Sequence, residues 1–276
     1  MSLKQRLAWR NYLIEAIMIL SSLIILVPVL IMIFGSFKTN VEVLDFSLKL
    51  PKTWIFDNYK TVFEEGNLLH AFWNGILITG VSCIINIITT SAASFVLVRR
   101  ESRLSNFLYL FFFMGLIAPM STITTIRVVQ WLGFYGSITS VILIYASLNT
   151  AFSVFLYNGF IKSIPRALDE VAFLEGAGMF RVFFRIITPL ILPVNTTVLI
   201  MVFMSVWNDV TIPLYFLTNS NDWTMPLSVY NFYGKYSRDW NLIFADLVMT
   251  SLPVFILYLF AQKYIVSGLT AGAVKG

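Results

Sequence analysis

Long charge-free stretches alternate with short polar ones along this chain. Apolar runs cover Ala16–Phe37, Ala71–Val98, Leu104–Ile126, Val128–Ile161 and Ile186–Asn208, and a sixth, Trp240–Gln262, holds a single charge, Asp246. About 20 apolar residues cross the hydrocarbon core of a bilayer, so each run is long enough to span one. The fourth run would make a straight helix of ~51 Å at ~1.5 Å per residue, too long for one span. Gly133 and Gly136 therefore assign its first part to a short interfacial segment, with the span starting near Ser137. The expected fold is all-α: one transmembrane domain over residues 1–276, with spans near 16–37, 71–98, 106–126, 137–160, 190–214 and 241–262.

Composition agrees, with 58% hydrophobic and 12% charged residues, where a soluble domain has about 45–50% and 25%. Six spans put both ends on one side, and the basic residues say which. With the N-terminus inside, the inner segments hold Lys4, Arg6, Arg10, Arg99, Arg100, Arg103, Lys162, Arg166, Arg181, Arg185, Lys263 and Lys275. The outer segments hold Lys38, Lys49, Lys52, Lys60, Arg127, Lys235 and Arg238. The positive-inside rule predicts an N-in, C-in topology. Because these residues already anchor topology, the net charge of +5 calls for no nucleic-acid partner. The first run exceeds the core of a signal peptide and lacks a small-x-small cleavage site after it, so it reads as a retained helix. The lone Cys83 and lone His70 cannot build a zinc or Cys–His site, and no metal is expected.

One inner loop stands out, near residues 162–189, because the other inner connection, Arg99–Arg103, is only a handful of residues. After Ser163 and Pro165, the acids Asp169 and Glu170 mark a helix N-terminus. Leu168, Val171 and Ala172 then share a face at i, i+3, i+4 spacing. Gly176-Ala177-Gly178 breaks this helix after Glu175, and a second short helix, Met179–Ile187, stops before Pro189. Two readings stand: a pair of amphipathic helices on the membrane surface, or a helix built for a protein groove. Acids within the first helix and few basic residues favour the groove.

The outer loop Thr218–Asp239 also admits two readings. Its aromatics suit the headgroup belt, while Asn219, Asn221, Asp222 and Trp223 suit a protruding surface. Inside the spans, Asn86, Tyr145, Asn149, Asn158, Asn208 and Asp209 are polar residues of the kind that mark a substrate path or join helices through hydrogen bonds.

The stretch Asp169–Ala177, continuing through Phe183, Ile186 and Pro189, resembles the EAA loop of binding-protein-dependent ABC importer permeases. Val171 replaces that pattern's first Ala and Glu175 its commoner Asp, while Glu170 and Gly176 keep the core spacing. Asn74–Arg100 is similar to the family's second span, Trp207-Asn208-Asp209 with Pro213-Leu214 to its fifth, and Gly268–Gly276 to the tail of maltose-type sugar permeases. The six-span length resembles the smaller of the paired permeases in that class.

What the resemblance implies is a type I importer permease in a prokaryotic inner membrane. Its partners would be a second permease of different sequence, two ATP-binding cassette subunits, membrane lipid and an extracytoplasmic solute-binding protein. No phosphate-binding Gly-x-x-x-x-Gly-Lys motif occurs here, so the chain is expected to bind no cofactor and ATP and Mg to sit on the ATPases. Coupling would fall to Asp169, Glu170, Ala172, Glu175, Gly176, Ala177 and Gly178, with Gly268, Gly272 and Lys275 as a tail contact. Tyr145, Asn149, Trp207, Asn208 and Asp209 would line the sugar path, and Asn219, Asn221, Asp222 and Trp223 would meet the binding protein. The rivals are a permease for glycerol phosphate or another non-sugar solute, and an ion-coupled secondary transporter. The latter usually shows internal repeats and an intramembrane acid. Only Glu15, Asp209 and Asp246 approach the membrane, and no repeat is found.

Overall fold

The computed structural model describes residues 3–234 and 238–273. The described residues form helices and turns, with one isolated antiparallel bridge, Tyr233 to Arg238. Contacts divide the chain into two compact units, Met1–Leu69 with Ser228–Leu252, and His70–Leu227 with Pro253–Gly276.

The first unit holds α1 (Leu3–Gly35), α2 (Asp57–Glu65) and the start of the last long helix. Apolar side chains of α1 are exposed on every face, Leu20 at 60% and Ile24 at 72% among them. A helix apolar all round belongs in an apolar surrounding. Its two mid-helix hydroxyls need no outside partner, since Ser21 donates to Ile17 O and Ser22 to Met18 O, each at 2.8 Å. Beyond α1 the chain is held by amides. Asn58 Nδ2 donates to Ser36 O and Lys38 O at 2.8 and 3.0 Å, and its Oδ1 accepts from Asn241 Nδ2 at 2.9 Å. Asp246, fully buried, accepts from Ser228 and Thr250, so this acid anchors the unit's own segments.

The second unit begins along α3 (Leu68–Arg99), continues through α4 (Arg103–Met114) and α5 (Thr122–Trp131), and reaches α6 (Ile138–Leu148) and α7 (Thr150–Lys162). Small polar residues on α3 meet carbonyls sixty positions on: Ser82 Oγ donates to Ile142 O, Asn86 Nδ2 to Ala146 O and Ser94 Oγ to Val154 O. The constant offset means that α3 and α6–α7 run in the same direction. Two parallel spans require the chain to return between them, which is the work of α4, α5 and their connection. Small and hydroxyl-bearing residues at such contacts let helix backbones approach closely.

The third apolar run differs from its expected continuous span. It stops at Met114, turns through 115–121 and resumes as α5, because Gly115 and Pro119 interrupt a charge-free sequence. Gly115 also sits tight against its neighbours, with a Cβ there meeting Ala151 Cβ at 3.2 Å. The turn after α5 follows the glycines as expected, with Gly133 at φ +78° and Gly136 at φ +85°. The fourth span is bent by 41° at Asn149.

The loop over residues 162–189 carries α8 (Ala167–Leu174) and most of α9 (Met179–Leu190), and α10 (Leu192–Trp207) follows. The second short helix runs further than expected, to Leu190, with a π-type stretch at Phe183–Ile187. It meets α10 at 75°, between Pro189 and Pro193, which remove two helical N–H donors. Next comes α11 (Thr211–Phe216), and then α12 (Trp240–Ala273). The helix α12 carries Gly268 and Gly272, and Lys275 lies outside the described residues. Three helical segments, Asn11–Gly35, Leu68–Arg99 and Trp240–Phe260, are long and apolar enough to cross a membrane singly. The bent pairs α6–α7 and α9–α10 add two more, and α4 is a shorter apolar helix.

Candidate functional site

The loop over residues 162–189 is held as a bracket by backbone and ion-pair contacts. At the end of α8, Gly176 adopts φ +82°, and two backbone bonds close around it: Ala177 N–H to Ala172 O at 2.9 Å and Gly176 N–H to Phe173 O at 3.0 Å. This pair is the Schellman helix stop, whose left-handed position favours glycine because it has no Cβ. Buried Ala172 and partly buried Ala177 belong to the same apolar cluster, the contact that usually accompanies this stop. Nothing lies within 4 Å of a Cβ built on Gly176 or Gly178, so the chain itself leaves that side open.

The helix α8 points its two neighbouring acids in opposite directions. Asp169 is buried and Glu170 is exposed. Arg99, at the end of α3, places Nε 2.5 Å from Asp169 Oδ2, with both side chains nearly buried. The same guanidinium donates from Nη1 and Nη2 to Ile164 O at 3.2 and 3.3 Å. Arg166 reaches back to Val98 O at 3.2 Å and pairs with Glu101 at 2.7 Å. Two arginines thus bolt the start of α8 to the end of α3.

The outward side is apolar around an acid. Leu174 is 89% exposed and Phe180 82%, and Leu168, Val171, Phe173 and Met179 are exposed beside Glu170 and Glu175. Clustered apolar exposure of this kind marks a protein or membrane contact. Of the seven coupling residues expected, Glu170, Glu175, Gly176 and Gly178 lie on the open side, while Asp169 and Ala172 turn inward and Ala177 is partly buried. Arg99 and Arg166 escaped the sequence reading, in which they counted only as topology charges.

The expected sugar-path residues do not form one polar surface. Trp207 is buried, stacked on Phe203 at 5.7 Å between centroids and close to Gly75. Asp209 accepts from Tyr145 Oη at 2.9 Å and from the Thr211 and Ile212 N–H groups, which fixes the start of α11. Asn149 and Asn208 each bond back to a carbonyl of their own helical segment, Tyr145 O and Met204 O. In the segment 219–223, Asn219 Oδ1 accepts from Asn221 N–H, and Asn74 Nδ2 donates to Asn221 O and Trp223 O at 2.7 and 3.1 Å. That loop is therefore tied to α3, with Asn219 and Asn221 exposed and Asp222 and Trp223 half-buried.

Apolar helices in this number, with one bracketed loop at 162–189 among their connections, define a multi-pass membrane protein. The model of the binding-protein-dependent transport system inner membrane component matches residues 85–271, and the chain belongs to that family of ABC importer permeases. It is 34% identical to the "Probable starch degradation products transport system permease protein AmyC" of Thermoanaerobacterium thermosulfurigenes, over 96% of this chain and 97% of that one. It is 32% identical to the multiple sugar-binding transport system permease protein MsmG of Streptococcus mutans, over 92% and 93%. Its fold matches a crystal structure of a bacterial ABC transporter involved in the import of the acidic polysaccharide alginate, with a TM-score of 0.82, 18% identity and coverage of 96% and 98%.

Proposed function

We propose that this permease forms one half of a sugar-conducting pathway and is driven by ATPases that dock on α8. The observation that carries the reading is the split of α8: Asp169 is locked to Arg99, while Glu170 faces outward among Leu168, Val171 and Leu174. A helix held on one side and open on the other transmits a push instead of absorbing it. Glu170 would offer its carboxylate to a basic or hydroxyl group in the ATPase cleft, and the open space at Gly176 would let that surface approach. The push would pass through Arg99 into α3, and from α3 into α6–α7 through Asn86 and Ser153.

The cargo proposed is a carbohydrate, because the relatives' names speak of starch degradation products and multiple sugars. The family's description supports a separate solute-binding protein, which Asn219, Asn221, Asp222 and Trp223 would meet. A second permease, two ATPases with their ATP and Mg, six N-in, C-in spans and a tail contact at Gly268, Gly272 and Lys275 complete the reading. The direct test is uptake of labelled oligosaccharide into proteoliposomes holding the whole complex. Uptake should need both internal ATP and the external binding protein, and should vanish in Glu170→Lys while the chain stays in the membrane. Uptake driven by an ion gradient without ATP would refute it.

A further inference from the structure

A cavity of about 580 Å³ opens where α3 ends, α4 begins, α7 ends and the inner loop starts. Its lining includes Arg99, Arg100, Glu101, Lys162 and Arg166, four cations and one acid. Two of those cations are already balanced, Arg99 by Asp169 and Arg166 by Glu101. Arg100 has no acidic partner among the described residues, and Lys162 has none either, its Nζ standing 5.4 Å from the centroid of the Tyr109 ring. The cavity therefore carries a surplus of two positive charges.

A polar side chain adds to the wall. Asn158, only 3% exposed, lines the cavity and its side chain makes no hydrogen bond among the described residues. Its amide faces the cavity and is available to hydrogen-bond with an occupant there. Ser105, Asn106 and Ser163 add further polar groups to the same wall.

We propose that this cavity binds a phosphate group, held as the headgroup of an anionic membrane phospholipid. The chemistry follows from the surplus charge and the amide, which together suit a phosphodiester. The lipid source follows from position. The helix α4 rises directly from the cavity with Leu104, Phe107, Leu110 and Phe111 exposed, a surface on which acyl chains can lie. Basic pockets between the ends of membrane helices are known to take such headgroups. The lipid would then sit against the backs of Arg99 and Arg166, the residues that bolt the inner loop to α3, and hold that bracket in place. The site requires a membrane and does not require that an ATPase docks on α8.

The test uses the purified full-length chain in nanodiscs of phosphatidylglycerol and phosphatidylcholine in equal amounts, followed by detergent extraction and native mass spectrometry. The wild type should retain phosphatidylglycerol selectively, and added millimolar phosphate should not displace it. R100Q/K162Q should lose that retention by about thirtyfold, because each basic residue near a phosphate contributes about fivefold. Lys162→Arg should retain it, which separates lost charge from lost folding. Equal retention by wild type and R100Q/K162Q would overturn the proposal. So would equal retention of the two lipids, or phosphate binding with no lipid preference.

Discussion

At the scale of single residues, the Arg99–Asp169 pair governs the inner loop. Removing one member of a buried ion pair leaves the other charge uncompensated, at a cost of about 3–5 kcal/mol. Arg99→Met and Asp169→Leu should each lower the thermal midpoint of the purified chain. The double variant should recover most of that loss, because no orphan charge remains. Additive losses in the double variant would mean that the two side chains do not act as a pair. Gly176 gives a second residue-scale prediction. Asn tolerates the left-handed region, so Gly176→Asn should keep the helix stop and membrane level, and Gly176→Val should destabilise it by about 1–2 kcal/mol. Gly176→Asp keeps the same backbone tolerance but adds a charge on the open side. It should leave stability near that of Gly176→Asn and abolish uptake, a difference readable by thermal shift and transport on the same samples.

At the scale of elements, the parallel seam between α3 and α6–α7 depends on Asn86, which donates to Ala146 O and accepts from Ser153 Oγ at 2.6 Å. Interhelical bonds within membranes are worth about 0.6–1.7 kcal/mol. Asn86→Leu should cost about that much, and adding Ser153→Ala should cost nothing further; a full second loss would place the two in separate interactions. The sequence made the inner loop's helix, hinge and second helix legible because glycine and proline punctuate the backbone where they occur. It concealed the break at 115–121, since a run without charges looks the same by hydropathy whether or not it bends. It also concealed the Arg99–Asp169 pair, whose members lie on separate elements far apart in sequence, because periodicity carries no information on distant partners. Asn86 was legible only as one of six polar positions; which of them join helices became clear from their bonds, not their type.

At the scale of the whole molecule, this is an inner membrane permease, and we propose that it takes force at one loop and delivers it along its helices. Family membership and the match over nearly the whole chain place it among sugar-importer relatives. In that proposal the bracket would carry the motion, since two arginines join α8 to α3. The most direct measurement is purification of the tagged chain in mild detergent, with identification of what comes with it, for the wild type and for Glu170→Lys. An ATP-binding cassette ATPase and a second permease should come with the wild type, and the ATPase alone should be lost with Glu170→Lys. Recovery of the chain by itself as an ATP-independent transporter, or of the ATPase undiminished with Glu170→Lys, would contradict that proposal.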